Sequence, residues 1–204
     1  MADKNPRIDL TLGGVPSQLV RFSYVHVFET HTNSESGKDE YGIQLHIPKT
    51  NVVDVKAIKA GIAQIQKEMY ADKKKPVPPK FWNPLRDGDT DVRNNGEGFG
   101  PAAAGHYVLS VKSSEDKARG REAVQPKIVG TTKDEKGRLV QLTSGIKSGD
   151  YGRVGITLYG YIKGDSGVGG GLRTVQLVQE GEALGSEADA DADFGDFDNE
   201  ADVL

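Results

Sequence analysis

Cysteine is absent from the 204-residue chain, which excludes disulfides, thiolate metal sites and a cysteine nucleophile. No apolar run approaches the roughly 20 residues that a bilayer-spanning helix needs. Met1 to Asp9 has no apolar segment behind a basic one, so no secretory signal is expected there. The cytoplasm is the location these absences leave. The four histidines, His26, His31, His46 and His106, include no pair at a zinc-binding spacing. There is no Gly-rich loop ending in Lys-Ser/Thr and no dinucleotide-binding fingerprint. Gly167-Val168-Gly169-Gly170-Gly171 precedes a strand pattern instead of opening a helix, and reads as a mobile or tight-turn loop. Asp87, Asp89 and Asp91 are spaced like calcium ligands, but Val92 and Gly98 stand where such a loop needs Gly and Glu. No catalytic residue, metal or cofactor is expected from these patterns.

Basic residues are also missing from one stretch. All 26 Lys and Arg precede position 180, while Glu180 to Leu204 hold ten acidic residues. The net charge of -4 therefore splits into +6 for residues 1–179 and -10 for the last 25. Such a body attracts polyanions, and such a tail imitates one. The Ala-Asp alternation from Ala188 to Asp193 offers too little apolar surface to offset the entropy of ordering. A disordered acidic tail is expected over residues 180–204. Phe194, Phe197, Val203 and Leu204 interrupt it as candidate partner-binding anchors.

What remains is a single moderate domain. The 26 glycines favour a turn-rich β architecture over a helical bundle. Residues 1–18 read as a polar, turn-rich N-terminal extension, ahead of a domain over residues 19–179. Leu19 to Phe28 is a strand in which Val20, Phe22, Tyr24, His26 and Phe28 should share one face. A loop is expected from His31 to Asp39. Tyr41, Ile43, Leu45 and Ile47 then alternate with polar residues as a half-buried strand ending at Pro48. Asn51 caps a helix whose apolar stripe is Val55, Ile58, Ile62, Ile65 and Met69, and which should pack across an open end or face of the sheet. The Pro-rich segment 73–80 and a long polar connection, Asn83 to Gly105, follow. Further strands are expected at His106 to Ser113, Ala123 to Val129, Arg138 to Leu142, Tyr151 to Ile162 and Leu172 to Gln179, with Asp134 to Gly137 as a hairpin turn. One helix and several Gly-broken strands describe a mainly β fold, a small barrel with elaborated loops.

Binding a single nucleic-acid strand requires cations along a groove and aromatic planes for unpaired bases. Arg21 precedes Phe22 and Tyr24, Lys80 precedes Phe81 and Trp82, and Arg153 precedes Tyr159 and Tyr161. Tyr107 opens another strand, and Lys73, Lys74 and Lys75 form a basic patch. These are the candidate DNA-binding residues, and each ring also has a core role as its alternative. Neither a helix-turn-helix nor a zinc-finger spacing marks a duplex reader.

Several ordered stretches resemble a known family. They are Phe22 to Glu29, Ile47-Pro48-Lys49, Pro84 to Asp89, Gly105-His106-Tyr107, Tyr151 to Val154 and Gly167 to Gln176. Together they resemble the tailed-bacteriophage single-stranded DNA-binding proteins with an OB-fold, formerly grouped as an uncharacterised domain family. The resemblance implies an OB-fold barrel, a homodimer, and work on phage DNA in replication, recombination or repair inside the infected bacterial cytoplasm. It also implies an acidic tail that recruits replication or recombination proteins and competes for the DNA site. Many such tails end in an aromatic residue, whereas this one ends Asp202-Val203-Leu204 with Phe194 and Phe197 set back. Two other functions stay open on residues alone: a metal-dependent nuclease using Asp87, Asp89 and Asp91, and a non-catalytic protein-interaction module.

Overall fold

A computed structural model of the chain describes residues 5–34, 36–71, 76–93, 95–162 and 166–184. The strands are β1 (Arg7–Leu12), β2 (Val20–Thr32), β3 (Asp39–Pro48), β4 (Leu85–Asp87), β5 (His106–Ser114), β6 (Lys127–Lys133), β7 (Leu139–Gln141), β8 (Tyr151–Tyr161) and β9 (Gly167–Gln179), with helix α1 (Val52–Met69). β2 pairs β3, β3 pairs β5, β5 pairs β9 in parallel, β9 pairs β8, and β8 returns to β2. That circuit closes a five-stranded barrel with its third and fifth strands parallel, the OB-fold. β4 adds to β5, and β6 and β7 extend the sheet beyond β9.

Alternation fills the barrel. Ile43, Leu45 and Ile47 of β3, Leu109 and Val111 of β5, and Val154, Ile156 and Leu158 of β8 all point inward and are buried. The helix does what its stripe predicts. Val55, Ile58, Ile62 and Ile65 are buried, and the Asn51 side chain accepts a hydrogen bond from the Asp54 amide at 3.1 Å. It packs on β1, β8 and β9, with Gly61 over the Leu158 side chain, where an added Cβ would lie 3.0 Å from a Leu158 methyl. A glycine that weakens the isolated helix thus permits its close approach to the sheet.

The first 18 residues are more structured than their composition implies. Ile8, Leu10 and Leu12 form the inward face of β1, which pairs antiparallel with β8 from Arg7↔Tyr159 to Leu12↔Val154. The loop expected from His31 is shorter, because β2 runs through Thr32 and β3 begins at Asp39. Gly167 to Gly171 is the opening of β9, not a loop, and β6 begins at Lys127 instead of Ala123. The hairpin turn at Asp134 to Gly137 is present, with the Gly137 amide bonded to the Asp134 carbonyl at 2.9 Å.

Candidate nucleic-acid interface

β5 and β9 touch in register only at Lys112↔Gly171. Where they diverge, a groove of about 790 Å³ opens on the outer face of the barrel. Its aromatic walls come from Tyr24, Trp82, Phe99, Tyr159 and Tyr161, and its cations from Arg86, Arg93 and Lys112. Four of these, Tyr24, Trp82, Tyr159 and Tyr161, are rings that the sequence marks as candidates.

Each ring is placed by backbone geometry. Tyr24 has φ 48°, the sole positive φ at a non-glycine among the described residues. It sits where the β2–β3 register breaks between Ser23 and His26, a β-bulge that re-aims the side chain. The expected common face of Phe22 and Tyr24 is broken there: Phe22 is 0% exposed and Tyr24 is 53% exposed. Phe22 is therefore a core ring and presents no face to a base. Trp82 is pinned beside the start of β9. Its amide bonds the Ser166 carbonyl at 2.9 Å and its carbonyl accepts from the Val168 amide at 3.1 Å. The ring stays 40% exposed, with the Arg86 guanidinium 5.1 Å from its centroid. Tyr159 lies flat on the neighbouring strand, because a Cβ on Gly169 would come 2.6 Å from the tyrosine ring. The glycine-rich opening of β9 is a bare backbone platform for that ring.

Arg93 reaches the groove from the 88–105 segment. That segment folds on a Val92–Gly98 bridge, and Arg93 lies 5.3 Å from the Tyr24 centroid and 5.7 Å from that of Phe99. Its Nε is buried without a hydrogen-bond partner. The floor is polar. Burial pushes the Glu40 carboxyl up, but hydrogen bonds from Lys112, Ser114 and Asn33 and the Lys112 charge outweigh it and hold the group below its ordinary range. Lys112 Nζ is 2.9 Å and Ser114 Oγ 2.8 Å from Glu40 Oε2. His31 Nε2 lies 3.7 Å from the other carboxylate oxygen, and its ring stacks 4.2 Å from that of His26. Burial, then the neighbouring His31, lowers the His26 pKa.

Other sequence candidates lie elsewhere. Arg21 pairs with Tyr151 at the opposite end of β8, where it donates to the carbonyls of Gly149 (3.3 Å) and Glu182 (3.2 Å). Those bonds hold the chain as it leaves β9, and they turn Arg21 away from the groove. The Tyr107 ring faces Lys49 and Lys59, and its hydroxyl accepts from Lys59 Nζ at 3.1 Å, so it serves the helix side of the barrel. Arg153 stands on the outer face of β8 beside Gln176, at a smaller hollow of about 250 Å³. Lys80 is exposed next to the half-buried Phe81. Lys73, Lys74, Lys75, Phe194, Phe197, Val203 and Leu204 lie outside the described residues. Arg86, Arg93, Phe99, Lys112, His26 and His31 are groove residues that sequence reading missed. The Arg-Phe content of the polar 83–105 segment was the available signal for three of them.

The three aspartates have partners of their own. Lys49 Nζ lies 2.5 Å from Asp87 and 2.6 Å from Asp89, and Arg86 Nε lies 3.0 Å from Asp91. The two bonds raise the Lys49 pKa, and the same contacts lower those of Asp87 and Asp89. Among the described residues no group of three or more His, Asp or Glu side chains is arranged to hold a metal ion. No helix among them is long and apolar enough to cross a membrane.

Fold and groove define the class: an OB-fold barrel with an open strand face, lined by aromatic rings and cations. The chain belongs to the family described as Enterobacter phage Enc34, ssDNA-binding protein, which matches residues 14–204. Its structure is similar to that of the single-stranded DNA-binding protein from bacteriophage Enc34 in complex with ssDNA. The TM-score is 0.62 at 19% identity, over 88% of this chain and 89% of that one. It is also similar to gp2.5, a single-stranded DNA-binding protein encoded by bacteriophage T7, with a TM-score of 0.59 at 17% identity, over 95% and 97% of the two chains. No curated protein matches its sequence.

Proposed function

We propose that this protein binds single-stranded DNA without sequence preference, acting by occupancy and not by turnover. The observation that carries this reading is the convergence of Tyr24, Trp82, Tyr159 and Tyr161 on one groove together with Arg86, Arg93 and Lys112. Bases stack on the rings because every base has a π face, and phosphates follow the cations. Membership of the phage family and the likeness to a protein solved with ssDNA support the same reading. Bound strand is thereby kept from re-pairing and from nucleases during phage DNA replication, recombination or repair. The protein works as a homodimer, and its acidic tail competes for the groove and recruits partner proteins through Phe194, Phe197, Val203 and Leu204.

The test is a titration of the single tryptophan's fluorescence with oligothymidylate and with a duplex of equal length. The single strand should quench it and the duplex should not, and affinity should fall steeply between about 50 and 200 mM salt. Equal affinity for duplex DNA and an unrelated polyanion would overturn the reading.

A further inference from the structure

The registers thread one row of residues across six strands. His26 faces Gly42, Gly42 faces Lys112, Lys112 faces Gly171, Gly171 faces Thr157, and Thr157 faces Asp9. At about 4.8 Å per strand the row spans roughly 24 Å. Its first four members border or lie beside the groove. Its last two do not, because β1 takes over the edge of β8 where β2 leaves it. The two are linked along one strand face, since Tyr159 lines the groove and pairs with Arg7 of β1, two residues from the Thr157↔Asp9 pair on the same outer side.

At that end of the row a cation and a hydroxyl converge on one carboxylate. Arg173 Nη1 lies 2.8 Å from Asp9 Oδ2, and the Thr157 hydroxyl donates to Asp9 Oδ1 at 2.6 Å. Arg173 owes its outward position to the register break in β9, where the β8–β9 pairing jumps from Gly155↔Thr174 to Ile156↔Leu172. The break leaves Arg173 without a partner in the ladder and stands its side chain beside Thr157. Arg7, two residues before Asp9 on the same side of β1, is exposed and makes no ion pair among the described residues. Two guanidinium groups and a hydroxyl are the donor set that holds a phosphodiester. The Asp9 carboxylate occupies the Arg173 and Thr157 part of that set with both oxygens engaged, as two phosphate oxygens would be. Arg173 and Asp9 are 43% and 59% exposed, and an exposed pair of this kind is weak and readily exchanged.

We propose that Arg173, Arg7 and Thr157 form an outlying phosphate subsite for the DNA strand, which Asp9 fills until a strand long enough to leave the groove over β8 displaces it. This rests on the groove being the single-strand site. It assigns β1 a binding role and makes Asp9 an internal competitor built into the folded body.

The experiment titrates the full-length protein with labelled oligothymidylates of about 4 and about 16 nucleotides, the span of OB-fold site sizes. The proteins are wild type, Asp9→Asn, Arg173→Gln, the double variant and Glu135→Gln, an exposed carboxylate on the distant hairpin turn. Asp9→Asn should tighten binding of the long oligomer about 2- to 5-fold at low salt, the range of one exposed ion pair. Arg173→Gln should weaken it and flatten the salt slope by about 0.7, one phosphate's share for a single strand. In the Arg173→Gln background the Asp9→Asn gain should vanish, and the short oligomer should be indifferent to both changes. Three results would overturn the subsite: an unaltered salt slope in Arg173→Gln, a gain from Glu135→Gln as large as that from Asp9→Asn, or equal effects on short and long oligomers. If wild type binds neither oligomer, the groove reading falls with it; if it binds both and only the variant effects fail, the groove stands and the subsite does not.

Discussion

The Arg86 guanidinium lies 5.1 Å from the centroid of the Trp82 ring and is fixed there by bonds to Asp91 Oδ2 and the Val92 carbonyl, both at 3.0 Å. The cation thus braces an exposed indole at the groove rim, and the ring is pre-set for stacking with little entropy left to lose.

Replacing Trp82 by Ala should weaken single-strand binding by about 1 to 3 kcal/mol, the usual contribution of one stacked base. Because the ring is 40% exposed, the melting temperature should hardly move. Trp82→Phe should recover part of the affinity. Unchanged binding by anisotropy in Trp82→Ala would remove the ring from the interface.

Phe22 and Tyr24 make a sharper pair, two residues apart with opposite fates. Phe22→Ala empties a fully buried site against Gly152 and should cost about 3 to 5 kcal/mol of stability. Tyr24→Ala removes an exposed ring and should act on DNA affinity while leaving stability close to wild type. Urea denaturation and DNA titration of both variants separate the two roles. A large stability loss in Tyr24→Ala would mean that the bulge, and not the ring, is what Tyr24 supplies.

That contrast shows what sequence patterns hold and what they leave out. A period of two predicts the strands well, because burial of one face is a local demand. It assumes an unbroken strand, so a single bulge at Tyr24 reversed the face without any change in hydropathy. The helix, its cap and its stripe were legible for the same local reason. The short alternation of Ile8, Leu10 and Leu12 was a real strand signal hidden between charged residues and Gly13-Gly14. Which rings share a groove is a different kind of fact. Tyr24, Trp82 and Tyr159 meet only because pairings between distant segments put them together, and the chain's linear order says nothing of Arg93 or Lys112 joining them.

His46 predicts an acid-sensitive fold. Its ring is 2% exposed beneath the 101–106 segment, with Nδ1 3.0 Å from the Ala102 carbonyl. Burial lowers its pKa from 6.5 to about 4, against the opposing bond to Ala102. The unfolded chain then binds more protons than the folded one between those values, so stability rises with pH across that window. The contribution is present above about pH 6.5 and is lost as the pH falls towards 4, on the order of 3 kcal/mol in all. Denaturation curves at pH 7, 6 and 5, set beside those of His46→Gln, measure it. The same slope in both proteins would assign the acid sensitivity to other groups.

The acidic tail is tested by cutting it where the described fold ends. Gly181 donates to Asp150 Oδ1 at 3.0 Å and Leu184 to the Ser148 carbonyl at 3.0 Å, so the chain stays bound to the barrel through Leu184. This root sits at the Tyr151 end of β8, about 26 Å of strand from Tyr159. Residues 185–204 carry eight acidic groups, and an extended chain of that length reaches about 66 to 72 Å, ample to return to the groove. A protein ending at Leu184 should therefore bind single strands more tightly than the full chain at low salt. The two affinities should converge as salt screens the tail, and the melting temperatures should agree because the root is kept. Cutting at Gln179 instead would also remove the bonds at Asp150, Ser148 and Arg21, and would mix a loss of stability into the result. Equal affinities at low salt for the full chain and the Leu184 truncation would leave the tail no part in occupying the DNA site. Recruitment through Phe194, Phe197, Val203 and Leu204 would then be its remaining role, to be read from partner capture by the full chain against the truncation.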